Sequence, residues 1–289
     1  MGHGVNPVGR PVTVDESTAR VVGRCGRLTR AEGCETGPWR CPRPEKASRY
    51  ARTVSSVRTL VLWDIDHTLI NADGIGRDIY AHAFQVVTGQ QMKQAAAMAG
   101  RTDWAITVET LRTHGVEVSD RLLNSFGTAL AEAFVVHEAA ISERGRVLAG
   151  AREVLDVLAG RADVIQSVLT GNMEPLAIGK LRAFGLEHFV DFEVGAYGMD
   201  HEDRAVLVGM AQKRATQKYG EPFTTHNTVL VGDTPNDVLA GHLGGARVVA
   251  VATGASDVRA LKEAGADLVL EDLTDTDAVV RAVLVAADR

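Results

Sequence analysis

Short apolar runs and amphipathic stretches alternate along most of the chain. From residue 58 onward the apolar runs predict buried strands, and the stretches between the later runs repeat apolar residues at helical spacing. Strands that alternate with helices form parallel β-α-β units, so the pattern predicts an α/β fold with a Rossmann-like, doubly wound parallel sheet. The predicted strands are 60–63, 164–169, 192–194, 228–231, 248–251 and 268–270, and the predicted helices are about 151–160, 174–184, 203–219, 236–244, 256–265 and 274–287.

One interval, residues 75–148, interrupts this alternation. It lacks a convincing strand pattern and predicts helices at 78–88, 102–114 and 119–136, with glycines between them. Because the interval follows the first strand, it would lie over the carboxyl edge of the sheet, which favours a helical cap over a merely decorating insertion. The predicted domains are therefore a core of residues 58–74 and 149–289 and a cap of residues 75–148.

The beginning of the chain differs in composition from the rest. Residues 1–58 contain ten Arg and one Lys against five acidic residues, all three Cys and five of the eight Pro, without periodic apolar positions. This composition predicts a disordered Arg-rich tail at residues 1–57, or a start assigned too far upstream. Its acidic residues disfavour a transit peptide, and a secretory signal would need an apolar stretch. The Cys-x8-Cys-x6-Cys spacing fits no common zinc site.

The composition of the whole chain narrows the class of protein. The 289 residues are 45% hydrophobic and 24% charged, which is ordinary for a soluble globular protein. We expect no membrane span, because no run of about 18 apolar residues occurs. The net charge of −6 argues against nucleic acid as a partner. No Cys follows residue 41, which favours a reducing cytoplasm; we expect a monomer or a homodimer there.

The first stretch with chemical potential is VLWDIDHTLI at residues 61–70. An apolar strand ends at Asp64, and Asp66 follows two positions later. Side chains at positions i and i+2 of an extended segment point the same way, so both carboxylates can face one small volume. Carboxylates at the end of a buried strand are costly unless something binds or uses them. The pair alone is weak evidence, because acidic pairs are frequent in loops.

A second predicted strand ends at Thr170, and Gly171, Asn172 and a helix follow it. The hydroxyl and the free backbone N–H groups of such a turn can bind phosphate oxygens, and the helix dipole adds attraction for an anion. Taken alone, the same pattern favours an ordinary helix N-cap over a phosphate site.

A third predicted strand ends in GDTPND at residues 232–237. Mg²⁺ prefers carboxylate, phosphate and water oxygens. Asp64, Asp233 and the backbone carbonyl of Asp66 are therefore the predicted magnesium ligands, with Asp237 as a further candidate. A capped helix would explain the Pro and the acids of this motif. It would not explain why three parallel strands all end in polar groups.

Together these motifs resemble those of the haloacid dehalogenase-like (HAD) hydrolase superfamily, and its phosphoglycolate phosphatase-like branch in particular. The matching motifs are DIDHT at 64–68, LTGN at 169–172 and GDTPND at 232–237, in the family's order. The resemblance implies Mg²⁺-dependent hydrolysis of a small phosphorylated metabolite, a phosphoglycolate- or sugar-phosphate-like monoester, through an aspartyl-phosphate. A phosphosugar mutase with the same site and a non-catalytic binding or regulatory protein with the HAD fold are the alternatives.

The resemblance also implies a role for each motif residue. Asp64 is the expected nucleophile, and Asp66 is the expected general acid and base. Thr170, Gly171 and Asn172 are expected to hold the phosphoryl oxygens.

One element of the family's pattern is missing from this chain. Many relatives place a Lys-Pro pair before the helix that leads to the last motif, whereas this chain has DHEDR at residues 200–204. Lys180 and Arg204 are the candidates for the basic phosphate contact, with a slight preference for Lys180. Lys213 and Lys218 are weaker candidates, since helix surfaces commonly carry solvated lysines.

The predicted cap contains one suggestive stretch, AGRTDW at residues 99–104. Arg101 is the predicted contact for a carboxylate or a second anionic group of the substrate. A helix that begins here, with Thr102 as its N-cap and Trp104 in the core, explains the same residues equally well.

Overall fold

The computed structural model describes residues 58–287, so the predictions for the tail at residues 1–57 lie outside the described residues. Within this part, the strands are β1 (Thr59–Trp63), β2 (Ile70–Asn71), β3 (Arg146–Val147), β4 (Val164–Val168), β5 (Thr228–Gly232), β6 (Arg247–Val251) and β7 (Leu268–Leu270). The α-helices are α1 (Ile75–Thr88), α2 (Asp103–Thr113), α3 (Asp120–Arg144), α4 (Ala151–Ala159), α5 (Glu174–Ala183), α6 (Arg204–Tyr219), α7 (Pro235–Gly244), α8 (Val258–Glu263) and α9 (Thr276–Ala287).

Five of these strands form one parallel sheet in the order β4-β1-β5-β6-β7. Strand β1 is buried on both faces, which the uninterrupted apolar run LVLW at residues 60–63 predicts. Val61 and Trp63 pack with α4 and α9 on one face, whereas Leu60 and Leu62 pack with α6 on the other. The predicted α/β fold with a doubly wound parallel sheet is therefore confirmed.

The register of the sheet brings three strand ends together. Trp63, the last residue of β1, lies opposite Val168 of β4 and Val231 of β5. The polar residues that follow these strands in the sequence therefore meet at one edge of the sheet. Ligands of doubly wound sheets bind at this carboxyl edge.

The strand prediction for residues 192–194 is wrong. Phe192–Val194 is a 3₁₀ helix, begun by the Asp191 side chain, which accepts a hydrogen bond from the Glu193 N–H group. A three-residue apolar run does not distinguish a strand from a buried turn by its periodicity. The segment still reaches the sheet edge, where Ala196 forms an isolated parallel bridge with Leu169.

Helices α1, α2 and α3 lie between β1 and β4 in the sequence and surround an apolar core of their own. Phe84 of α1 and Phe126 and Leu130 of α3 are fully buried in that core. The two chain segments that join this helical insertion to the sheet pair with each other. They contain β2 and β3, which form a short antiparallel ladder between Ile70 and Val147. The sequence pattern predicted neither β2 nor β3, each of which is only two residues long.

Candidate active site

Asp64 and Asp66 lie where the chain leaves β1. The Asp64 N–H group still donates to the Val231 carbonyl at 2.9 Å, so the sheet ladder fixes the Asp64 backbone. Its side chain is buried, whereas about a third of the Asp66 side chain is exposed. After Asp66 the chain turns back, and the His67 N–H group donates to the Ile70 carbonyl at 2.7 Å.

The end of β5 and the beginning of α7 contribute two further buried acids, Asp233 and Asp237. Thr234 caps α7, and its side chain and the Asp237 side chain bond reciprocally to each other's backbone N–H groups in a capping box. Gly232 is required here, because a Cβ atom at this position would lie 2.4 Å from the Asp237 Cγ atom. The local sequence GDTPND thus holds both carboxylates at the edge of the sheet.

Three carboxylates converge at this edge. Asp64, Asp233 and Asp237 each offer an oxygen atom, and these oxygens lie within 4.8 Å of one another. Burial, together with the neighbouring carboxylates, raises the pKa of Asp64 to about 7 and the pKa of Asp233 to about 8. A hard divalent cation bound by these buried acids would stabilise their ionised form.

Arg204, the first residue of α6, supplies a buried positive charge to the cluster. Its Nη2 atom lies 2.9 Å from Asp64 Oδ1 and 2.6 Å from Asp237 Oδ1. Burial lowers the pKa of Arg204, but Asp237 and Asp64 outweigh that effect and hold the pKa above its ordinary value. Its Nε atom is buried and has no hydrogen-bond partner among the residues that the structure describes.

Lys180 lies on α5 and pairs with a different carboxylate. Its Nζ atom lies 2.8 and 2.6 Å from the two oxygens of Asp66 and 2.7 Å from Asn172 Oδ1, so each of its three protons has an acceptor. Although burial opposes ionisation of Asp66, Lys180 and Asn172 hold its pKa below the ordinary value. The two basic candidates thus both reach the site, and they contact different acids.

The turn after β4 is organised around Thr170 and Asn172. The Asn172 amide Nδ2 donates to Thr170 Oγ1 at 2.8 Å and to Asp66 Oδ2 at 2.7 Å, and the Asn172 N–H group donates to Thr170 Oγ1 at 3.2 Å. Gly171 lies against the segment before α2, since a Cβ atom there would lie 1.9 Å from the Arg101 carbonyl oxygen. We name residues 170–173 the β4 loop.

The helical insertion covers this edge of the sheet. A cavity of about 700 Å³ lies between them, which is within the size range of small-molecule sites. Its walls combine the acids and cations described above with apolar side chains from the insertion and from α5. These apolar residues include Ile79, Tyr80, Met98, Ile106 and Leu176.

Arg101 lines this cavity, but its guanidinium group has a partner within the insertion. Its Nη1 atom lies 2.7 Å from Glu109 Oε2 and donates to the Ala97 carbonyl at 3.1 Å. Thr102 caps α2 by accepting from the Ala105 N–H group at 3.2 Å. The structure therefore contains the predicted helix start at Thr102, and a substrate contact for Arg101 stays a prediction.

Sequence reasoning missed two residues of this region, Tyr80 and Asp103. Both are buried, line the cavity and are hydrogen-bonded to each other at 2.7 Å. An Asp in the first turn of a helix is usually explained by the helix dipole, so the local pattern gave no reason to single out Asp103. Gly254 was missed as well, although a Cβ atom there would lie 1.8 Å from Asp233 Oδ2.

The sequence profile of haloacid dehalogenase-like hydrolases matches residues 61–242, more than half of the chain. The chain belongs to this family. The match contains all three strand ends described above, so the predicted HAD membership is confirmed. No sequence among curated proteins matches the chain significantly. Among the helices that the structure describes, none combines the length and apolar character needed to cross a membrane.

Solved structures of HAD-like proteins share the fold. A predicted phosphoglycolate phosphatase from Haemophilus somnus 129pt superposes with a TM-score of 0.54 at 18% identity, covering 78% of this chain and 99% of the other. A candidate β-phosphoglucomutase from Bacteroides vulgatus also has a TM-score of 0.54 at 18% identity, covering 81% and 91%. A hydrolase from Pseudomonas syringae gives 0.53 at 19% identity, covering 78% and 99%. At such identities the likeness establishes the fold alone.

Proposed function

We propose that this HAD hydrolase removes phosphate from a small phosphomonoester in a Mg²⁺-dependent reaction that passes through an aspartyl-phosphate at Asp64. The observation that carries the proposal is the buried cluster of Asp64, Asp233 and Asp237, with ligand oxygens within 4.8 Å of one another at the wall of a cavity. Buried carboxylates so close together repel one another, and a structural role would be served better by neutral side chains.

The chemistry of the donor set fits magnesium. Asp64 and Asp233 provide carboxylate oxygens, the Asp66 carbonyl is a further candidate, and Mg²⁺ takes such hard oxygen ligands together with water and phosphate. Asp237 is the weakest member, because Thr234 donates to its Oδ2 at 2.6 Å and Arg204 lies against its Oδ1. When bound, Mg²⁺ would neutralise charge on the carboxylates and on the phosphoryl oxygens.

The proposed nucleophile is Asp64. Arg204 holds its Oδ1 atom, and the ladder hydrogen bond to Val231 holds its backbone. A carboxylate fixed in this way can attack phosphorus without losing further conformational freedom. The unsatisfied Nε of Arg204 supports a second task for this residue, which is to contact the phosphoryl group as it is transferred.

Asp66 is the proposed general acid and base. Its ion pair with Lys180 keeps it ionised, which suits the second step, in which it accepts a proton from the attacking water. In the first step Asp66 must instead donate a proton to the leaving oxygen. A bound phosphoryl group offers Lys180 a competing acceptor. When Lys180 turns from Asp66 to the phosphoryl group, the pKa of Asp66 rises. Thr170, Gly171 and Asn172 provide the remaining phosphate contacts.

We further propose that residues 75–148 act as the cap that selects the substrate. The cavity extends from the acidic cluster to apolar side chains of α1 and α2. A substrate that fills it would place its phosphoryl group at the sheet edge and its remaining part against the insertion. Arg101 is a candidate for contacting an anionic group of that part if its ion pair with Glu109 opens.

The direct test is a phosphate-release screen over many phosphomonoesters, with Mg²⁺ and with EDTA. Asp64→Asn should abolish turnover while the unfolding profile stays that of a folded protein. Asp163→Asn, which changes a half-buried aspartate paired with Arg161, should leave turnover unchanged. Full activity of Asp64→Asn would refute the proposed nucleophile. Formation of an isomeric sugar phosphate, with no free phosphate, would establish the mutase alternative instead.

A further inference from the structure

Asp103 is a buried acid that the proposed chemistry does not use. It is the first residue of α2, is only 5% exposed, and lies outside the three sequence motifs. Both oxygens of its carboxylate accept hydrogen bonds, from the Tyr80 hydroxyl at 2.7 Å and from the Met173 N–H group at 2.7 Å. Hydrogen bonds to a carboxylate are stronger than those between neutral groups.

These bonds are not the usual cap of a helix. The N-cap of α2 is Thr102, whose hydroxyl already accepts from the Ala105 N–H group. The Asp103 carboxylate accepts no N–H group of its own helix among the bonds that the structure describes. It reaches instead to α1 and to the start of α5, so its contacts join separate parts of the fold.

The backbone of Asp103 adds a second attachment to the same loop. Its N–H group donates to the Gly171 carbonyl at 2.7 Å, and the next N–H group, of Trp104, donates to the Gly198 carbonyl at 2.9 Å. Gly198 has no room for a side chain, since a Cβ atom there would lie 1.7 Å from the Gly171 oxygen. The β4 loop is therefore fastened at Gly171 by the Asp103 backbone and at Met173 by its side chain.

From this arrangement we propose that Asp103 is a positioning residue that holds the β4 loop in its phosphate-binding conformation and fastens the helical insertion to it. The proposal rests on the proposed function, because it assumes that the β4 loop binds phosphoryl oxygens. Binding groups that are held about 1 Å from their productive positions make poorer hydrogen bonds to a ligand, so a loop fastened at two points is a means of preserving affinity for the phosphoryl group.

The test compares Asp103→Ala with Asp103→Asn in the full chain. The alanine removes the acceptor for Met173, whereas an asparagine oxygen can still accept from Met173 and its amide can donate to the Tyr80 oxygen. Asp120→Ala is the matched control. Like Asp103, Asp120 is the first residue of a helix whose N-cap is a hydroxyl side chain, here Ser119, but Asp120 is exposed. Inorganic phosphate in the presence of Mg²⁺ is the binding probe.

For Asp103→Ala we expect the dissociation constant for inorganic phosphate to rise at least about 10-fold and the KM to rise in parallel, with a smaller change in kcat. Hydrogen exchange of the Met173 amide should accelerate, because its acceptor is gone. Asp103→Asn and Asp120→Ala should stay within about 3-fold of wild type in phosphate affinity and retain the slow exchange.

Two results would overturn the proposal. One is a folded Asp103→Ala protein with wild-type phosphate affinity and a slowly exchanging Met173 amide. The other applies if the alanine variant fails to fold: Tyr80→Phe, which deletes one donor to the carboxylate, would then lower stability but leave the phosphate affinity and the slow exchange of the Met173 amide at their wild-type values. If wild type itself binds no phosphate and hydrolyses no ester, the proposed function fails, and fast exchange at Met173 in Asp103→Ala would still establish the fastening of the loop.

Discussion

Replacing Asp233 by Asn should make the metal-free protein more stable, although it removes a proposed magnesium ligand. Asp233 shares a buried volume with Asp64 and Asp237, and the ligand oxygens lie within 4.8 Å of one another. At that separation and an effective dielectric constant of about 20, each like-charge pair costs roughly 3 kcal/mol. Asp233 takes part in two such pairs, and its attraction to Arg204 offsets about one of them.

The net gain expected for Asp233→Asn is therefore about 3 kcal/mol at pH 8 in EDTA, or roughly 6–12 °C in Tm for a chain of this size. The asparagine oxygen can still accept the long hydrogen bond of 3.4 Å from the Thr68 hydroxyl. The sign of the pH dependence follows from the pKa of Asp233, which burial first, and then Asp64 and Asp237, raise to about 8. A raised pKa contributes stability at low pH that is lost as the pH rises towards 8, so the advantage of the variant should shrink at pH 5.

Thermal unfolding at pH 5 and pH 8, each with EDTA and with Mg²⁺, measures both effects. Mg²⁺ should raise the Tm of wild type by mass action and should raise that of Asp233→Asn much less. Asp191→Asn is the control, for which we expect the opposite change in stability. Although partial burial opposes ionisation of Asp191, Lys218 and Tyr219 donate to it and hold its pKa below the ordinary value. Loss of the Asp191 charge should therefore destabilise the protein without altering the response of the Tm to Mg²⁺. The reasoning is refuted if Asp233→Asn melts below wild type in EDTA at pH 8, or responds to Mg²⁺ as wild type does.

Three further predictions concern the neighbouring residues. Arg204→Lys should lower kcat/KM by about 100-fold, because one ammonium cannot replace a guanidinium that contacts Asp64 and Asp237 and retains a free donor; steady-state kinetics within 3-fold of wild type would contradict this. Gly232→Ala should destabilise the protein by about 1–3 kcal/mol and weaken Mg²⁺ binding, since its Cβ atom would displace Asp237; calorimetric titration with unchanged affinity would count against it. Burial raises the pKa of Asp103 to about 6, so the stability of Asp103→Asn relative to wild type should increase by about 2 kcal/mol from pH 4 to pH 7; a flat difference in urea unfolding would exclude that cost.

Local sequence patterns predict the elements at which the chemistry resides. The apolar run before Asp64 is typical of a strand buried on both faces, and the glycine, proline and acids of GDTPND are typical of a tight turn and a capped helix. Because parallel strands end at the same edge of a sheet, these patterns also predict that the acids meet. Each inference depends on contacts within a few residues, or on a rule that holds for every doubly wound sheet.

Other features depend on which distant segments pack together, and no local pattern contains that information. The run at residues 192–194 has strand composition but forms a 3₁₀ helix, whose Val194 packs with apolar side chains of α6, and the chain forms a bridge to the sheet at Ala196. The sequence offered Lys180 and Arg204 as alternatives for a single basic phosphate contact. In the fold, Lys180 pairs with Asp66 and Arg204 pairs with Asp64.

The sequence by itself determined the parallel sheet, the three polar strand ends and the family to which they belong. The tertiary structure decided how the charges pair and how the β4 loop is fastened. Asp103 and Met173 are 70 positions apart in the chain, and their hydrogen bond exists only because the helical insertion folds back onto the sheet. Hydrophobic periodicity is a property of neighbouring residues, but the partners of a buried charge are set by the packing of whole elements.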